Sequence, residues 1–170
     1  MNTRHALVES ALGELTLVAD GDALVGLYFD HHRYKPFIET FGPQVDAADD
    51  GLLREAQNQL DDYLAGHHPH FDLPIRTHGD DLQRRVWDRL AAIPYGATVT
   101  YGELADELAD GTTAQQVGAA VGRNPLSIVV PCHRVVGKDG KLTGYAGGLE
   151  RKKFLLDLEE PADVRAARLF

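Results

Sequence analysis

At 170 residues with 44% hydrophobic side chains, the chain can bury one core, or two small cores that share an interface. No apolar run is long enough for a signal sequence or a membrane span, which leaves a cytoplasmic protein as the expectation. The single cysteine excludes an internal disulfide and a multi-cysteine zinc site, and a net charge of −9 is unfavourable for a protein that must grip phosphates.

That charge is unevenly spread. Residues 1–80 carry 5 Lys and Arg against 14 Asp and Glu, whereas residues 81–170 carry 12 of each. Between positions 123 and 154, Arg123, Arg134, Lys138, Lys141, Arg151, Lys152 and Lys153 face only Asp139 and Glu150, which reads as a local basic patch.

In chain order, Leu15–Asp20 and Ala23–Phe29 are β-rich runs joined by Gly21-Asp22, the pattern of a hairpin. Leu52, Leu53, Ala56, Leu60 and Leu64 recur at helical spacing before Gly66. A segment rich in His and Pro, Gly66–Gly79, separates this part from the rest, so the expected domains are an acidic α/β unit over 1–77 and a second unit over 78–170.

The second unit opens with a helix from Asp81 to Ala92, striped by Leu82, Val86, Leu90 and Ile93 and broken at Pro94-Tyr95-Gly96. Thr100 and Glu103 have capping-box spacing for a short helix that ends at Asp110-Gly111. Thr112 and Gln115 repeat that spacing, predicting a helix over Thr112–Gly122 that stops at Asn124-Pro125. Two short helices across a tight turn outline a helix-turn-helix, and the stretch turning at Asp139-Gly140 predicts a hairpin wing. A last helix, Leu149–Glu159, packs Phe154, Leu155 and Leu158 inward, and residues 162–170 fit a helix or a loose tail equally.

The chemistry concentrates at Pro131-Cys132-His133-Arg134-Val135, where a thiol stands beside an imidazole and a guanidinium. A thiolate is the competent nucleophile, and a nearby base or cation lowers a cysteine's pKa toward it. Adjacent side chains in an extended segment point apart, so cooperation between Cys132 and His133 needs a bent backbone or a bridging water. The histidines His31, His32, His67, His68 and His70 lie in loop-like surroundings with no cysteine beside them, and no metal or other cofactor is expected.

PCHRV, preceded by GRNP and followed by TGYAGG, resembles the O6-alkylguanine-DNA alkyltransferase family from Leu15 onward. The resemblance implies an N-terminal α/β domain, a small sheet with a helix, beside a C-terminal winged helix-turn-helix domain. It implies a monomer on double-stranded DNA, with cooperative packing along the DNA left open. The second helix of the motif would enter the minor groove, and the alkylated base would be flipped out to be reached. The alkyl group on O6 of guanine, or O4 of thymine, would then pass irreversibly to Cys132. By position the resemblance makes His133 a water-linked base, Glu159 its acidic partner and Tyr101 a hydrogen-bond donor to the leaving guanine. It makes Asn124 a hinge and Tyr145 a pocket wall, with substrate or DNA contacts from Arg134, Val135 and Ala146. Ala114, Gly118 and Ala119 are small enough for close approach to the groove, with Arg123 at the helix end. Gln115 departs from the family, standing where an arginine usually fills the gap left by the flipped base; Ala146, Thr143 and Leu82 replace a common serine, glycine and phenylalanine. Two other readings are a lesion sensor that holds alkylguanine without reacting, against which Cys132 speaks, and a cysteine hydrolase that turns over repeatedly.

Overall fold

In the computed structural model residues 2–164 are described. Three antiparallel strands, β1 (Thr3–Ser10), β2 (Gly13–Asp20) and β3 (Ala23–Phe29), form a sheet in that order. The expected hairpin is β2–β3, with Gly21 at φ 60 in its turn. Strand β1 is an addition to the expectation: it pairs along its whole length with β2, from Thr3 opposite Asp20 to Ser10 opposite Gly13. Successive residues of β2 point to opposite faces. Leu15, Leu17 and Ala19 join the main core with Leu53, Ala56 and Leu60 of helix α1 (Gly51–Leu64), while Val18 packs with Tyr28 and Phe41 on the other side.

The free edge of β3 is stopped by two segments from later in the chain. Leu24 donates its N–H to the Pro74 carbonyl at 2.8 Å, and Leu27 donates to the Pro125 carbonyl at 2.8 Å. An unpaired edge is a template for association, so these bonds both satisfy the strand and hold the residues after Pro125 against the sheet.

Helix α2 (Asp81–Ala91) starts from a reciprocal capping box between Asp80 and Gln83 and buries Val86, Trp87 and Leu90. The Trp87 indole N–H donates to the Ala120 carbonyl at 2.9 Å, tying α2 to helix α4 (Ala114–Gly122). Helix α3 (Tyr101–Leu108) follows a two-residue strand, β4 (Val99–Thr100), and packs on α4. Thr100 caps α3 by accepting the Glu103 N–H. Helix α5 (Leu149–Glu159) follows, and residues 162–164 after it are helical. Among the described residues, no helix is long and apolar enough to cross a membrane. The last part of the tail, residues 165–170, lies outside the description.

Three expectations are corrected. The capping box of α4 uses Thr113 and Gln116, whose side chains each accept the other's backbone N–H, and not Thr112 and Gln115. The cause is the core face: a one-residue shift turns Val117, Ala120 and Val121 inward and leaves Gln115 exposed. The turn at Asp139-Gly140 is present but the wing hairpin is not: residues 141–145 form no returning strand, and strand β5 (Val135–Val136) pairs in parallel with β4. Past it the chain closes a tight loop with the Gly137 N–H on the Lys141 carbonyl at 2.7 Å, and Asp139 (φ 62) and Gly140 (φ 78) make the turn. Phe154 is 38% exposed on α5, while Leu155 takes the core position.

The cap register is testable by thermal melting. Thr113→Ala removes a capping bond worth about 1 kcal/mol, which lowers Tm by roughly 2–4 °C in a chain of this size. Gln115→Ala leaves Tm unchanged, and an equal loss there would restore the original register.

Candidate active site

The segment from Asn124 to Arg134 is fixed from both sides. Asn124, buried at the end of α4, donates its amide to the Val130 carbonyl at 2.8 Å and accepts the Leu126 N–H at 3.0 Å. One side chain thus spans the loop leading to the thiol. Ile128 inside that loop sits at φ 73, an uncommon place for a β-branched residue and one that stores backbone strain. After Pro131 the chain makes one 3-10 turn, Cys132–Arg134, which supplies the bend the sequence requires.

The turn sends its side chains to different places. Cys132 is 3% exposed and lines a cavity of about 220 Å³ with Tyr101, Gly118, Ala119, Tyr145 and Ala146. Arg33 and Tyr34, from the loop after β3, also line it. His133 is wholly buried behind that wall, where its Nε2 meets Oε2 of Glu159 at 2.6 Å. Arg134 turns inward as well. Its Nε donates to Oε1 of Glu159 at 2.7 Å, its Nη2 to Oε2 at 3.1 Å, and its Nη1 to the Ile93 carbonyl at 2.7 Å.

Three donors therefore converge on the two Glu159 oxygens. Burial pushes this carboxyl up, while the guanidinium fork and the imidazole N–H hold it as the carboxylate. Burial, then the Arg134 and Lys152 charges, hold His133 well below 6.5, so the ring is neutral at pH 7. A neutral ring that donates its Nε2–H to Glu159 keeps a lone pair on Nδ1, and that nitrogen has no protein partner among the described residues.

The thiol departs from the expectation of a lowered pKa. Burial pushes Cys132 up, opposed by the Asn124 amide, the Lys152 ammonium and the Ser127 hydroxyl. The resting group is a thiol, and its deprotonation must accompany reaction. Tyr145 is likewise pushed well above 10 by burial, and its ring meets Phe29 edge-on at 5.8 Å.

Of the expected site residues, Cys132, Tyr101, Gly118, Ala119, Tyr145 and Ala146 share the cavity. Gly118 is also where α3 crosses α4, since a Cβ there would lie 3.7 Å from the Tyr101 ring. Val135 is buried in β5 and donates its N–H to the Cys132 carbonyl. Ala114 and Gln115 lie exposed at the start of α4, outside the cavity, and Arg123 is exposed just past its end.

The basic patch is corrected in part. Arg134 is spent on Glu159 and offers no face outward, because a buried carboxylate needs a cation. Lys152 is fully buried and donates to the Thr143 and Gly144 carbonyls at 3.0 and 3.4 Å, holding the loop that carries Tyr145. Arg151 bonds the Leu12 and Gly147 carbonyls. Lys152, Ser127, Arg33 and Tyr34 are site residues that the sequence reading missed. Only Lys152 carried a signal, as a lysine on the core side of α5 beside Leu155.

Two family models divide the chain between them: 6-O-methylguanine DNA methyltransferase, ribonuclease-like domain, over residues 3–77, and 6-O-methylguanine DNA methyltransferase, DNA binding domain, over residues 81–161. The methylated-DNA--protein-cysteine methyltransferase of Mycobacterium tuberculosis H37Rv is 44% identical over 163 residues, covering 94% of this chain and 96% of the relative. That of Methanosarcina acetivorans is 43% identical over 155 residues, covering 91% and 97%. The crystal structure of Mycobacterium tuberculosis OGT in complex with DNA superposes with a TM-score of 0.82 at 40% identity, covering 95% of this chain and 97% of that one. With its buried Cys132 facing a walled cavity, the chain belongs to the 6-O-methylguanine DNA methyltransferase family, the methylated-DNA--protein-cysteine methyltransferases.

Proposed function

We propose that this protein repairs DNA by taking the alkyl group from O6 of guanine onto Sγ of Cys132, once per molecule. The observation that carries this is the placement of a thiol on the cavity wall with a neutral imidazole, oriented by a buried carboxylate, in the next position of the chain. The Cys132 proton passes through a water to Nδ1 of His133, and Glu159 stabilises the imidazolium that forms. Sulfur attacks the alkyl carbon as the carbon–oxygen bond breaks. Tyr101 donates toward the leaving guanine, which ends protonated. The thioether has no route back to a thiol, so the reaction stops after one turnover.

Helix α4 fits the minor groove through Ala114, Gln115, Gly118 and Ala119, with α3 and α4 acting as a helix-turn-helix and the base extruded toward Cys132. We place the division of labour at residues 77 and 78 and take the chain to act as a monomer. A sensor that holds the lesion without reacting has no use for a nucleophile at the cavity wall.

Intact-protein mass spectrometry after incubation with O6-methylguanine DNA tests the main reading. One added methylene equivalent on Cys132 is expected, never more, and Cys132→Ser binds without transfer. Catalytic excess would favour a hydrolase, and absence of adduct a sensor.

The relay predicts the pH behaviour of the thiol. Because burial raises its pKa, labelling of Cys132 by iodoacetamide inflects above the ordinary value of 9.0 in the folded protein. His133→Ala slows transfer from DNA while lesion binding persists, and transfer at the parental rate would exclude the relay. Glu159→Gln slows transfer too, but it also leaves Arg134 buried without its partner, which lowers stability by about 3–5 kcal/mol in urea unfolding.

Gln115 is exposed and free of the cap, so its side chain is available to the groove. Gln115→Arg adds a charge and a planar stacking surface, and it raises the rate on duplex DNA while reaction with free alkylated guanine stays the same. An unchanged duplex rate would remove Gln115 from the groove.

A further inference from the structure

Resting on the alkyl-transfer reading, we propose that Arg33 and Arg123, propped on Tyr34 at the rim of the Cys132 cavity, grip a backbone phosphate beside the extruded nucleotide. The acidic N-terminal half would then contribute directly to DNA binding.

The geometry is a stack of two cations on one ring. The Arg123 guanidinium carbon lies 3.8 Å from the Tyr34 ring centroid and that of Arg33 lies 4.9 Å away. A guanidinium on an aromatic face keeps its charge, and its edge N–H groups stay free for an acceptor. Most other arginines here are spent: Arg4, Arg76, Arg85, Arg89, Arg134 and Arg151 all pair with carboxylates. Among the described residues, neither Arg33 nor Arg123 has a carboxylate within ion-pair distance. Two like charges gathered at one exposed ring repel, an anion held by both offsets that repulsion, and phosphate matches the guanidinium fork.

The rim is built to hold this arrangement. Arg33 donates its backbone N–H to the Ala146 carbonyl at 3.0 Å, fastening the loop to the cavity wall. Tyr34 sits at φ 66, a left-handed conformation that a bulky residue rarely adopts, and there its ring reaches the end of α4. The ring lies against Gly122, within van der Waals reach of where a Cβ would stand, 3.8 Å from Tyr34 Cε2. The cations stand at the end of α4 opposite Gln115, where the helix itself supplies no charge. A phosphate beside an extruded nucleotide must pass near the cavity mouth that Arg33 and Tyr34 line with Cys132.

The test compares Arg33→Ala, Arg123→Ala, their double variant, Tyr34→Gly and Tyr34→Phe with the parent. Affinity for an O6-methylguanine duplex is measured across a salt series in the Cys132→Ser background, and transfer from duplex and from free O6-benzylguanine in the reactive protein. Each arginine variant and Tyr34→Gly should weaken duplex binding about fivefold, and the double variant should reduce the slope of log affinity against log salt by about 0.9, one phosphate. Tyr34→Phe should match the parent in duplex affinity, and the arginine variants and Tyr34→Gly should each lose more of their duplex transfer than of their free-base transfer. Parental duplex affinity and salt slope in the double variant would overturn the proposal. So would a fall in free-base transfer in step with duplex transfer, which would make the stack a cavity wall only. If the reactive parent transferred from neither substrate while the binding differences stood, the phosphate grip would be supported and the alkyl-transfer reading would fail.

Discussion

A carboxylate with almost no exposure to water organises this molecule. Glu159 ends α5 and receives a two-pronged bond from Arg134 and a bond from His133, residues that follow the nucleophile directly. Taking such a charge out of water is expensive unless every oxygen is met, and here the partners come from the turn that carries Cys132. Arg134 in turn bonds the Ile93 carbonyl at the end of α2 and approaches the Tyr63 hydroxyl of α1 at 3.5 Å. The reactive turn is therefore locked to three helices through one ion cluster, and its geometry is set before any substrate arrives.

The same burial decides how the thiol behaves. A cysteine surrounded by cations is usually read as an activated thiolate, yet desolvation outweighs the Asn124, Lys152 and Ser127 contributions here. An uncharged thiol in a walled cavity is a poor target for stray electrophiles and for oxidation. In the proposed relay, reactivity then depends on His133, an imidazole that is neutral because it is buried. For a protein that can use its nucleophile once, restraint between encounters matters as much as speed during them.

Much of this was legible in the residues. The bend at Pro131, the stripe of α2 and the β2–β3 hairpin follow from local pattern, and Cys132, Tyr101, Tyr145 and Ala146, expected on resemblance to serve one site, line one cavity. What escaped was decided by packing across the chain. Thr112-Thr113 followed by Gln115-Gln116 offers two capping boxes one residue apart, and only the inward turn of Val117 and Val121 selects the second. Arg134 and Lys152 read as surface cations because charged residues are seldom fully buried, and their partners lie far off or on backbone carbonyls. Tyr34 could not be joined to Arg123 from sequence, since 89 positions separate them and nothing in the local pattern of the 30s loop announces the left-handed turn.

The edge of β3 binds the two halves in a way their domain labels conceal. The Pro125 carbonyl that stops this edge lies between the end of α4 and the reactive loop, so the sheet of the acidic half is completed by backbone from the half that carries the thiol. Sever the chain near residue 77 and each piece loses something it cannot replace. The first would display the open ladder of Leu27, an adhesive strip, and the second would lose the rest against which Leu126 and the Asn124 loop are set. The small sheet is thus one of the supports on which the approach to the thiol rests.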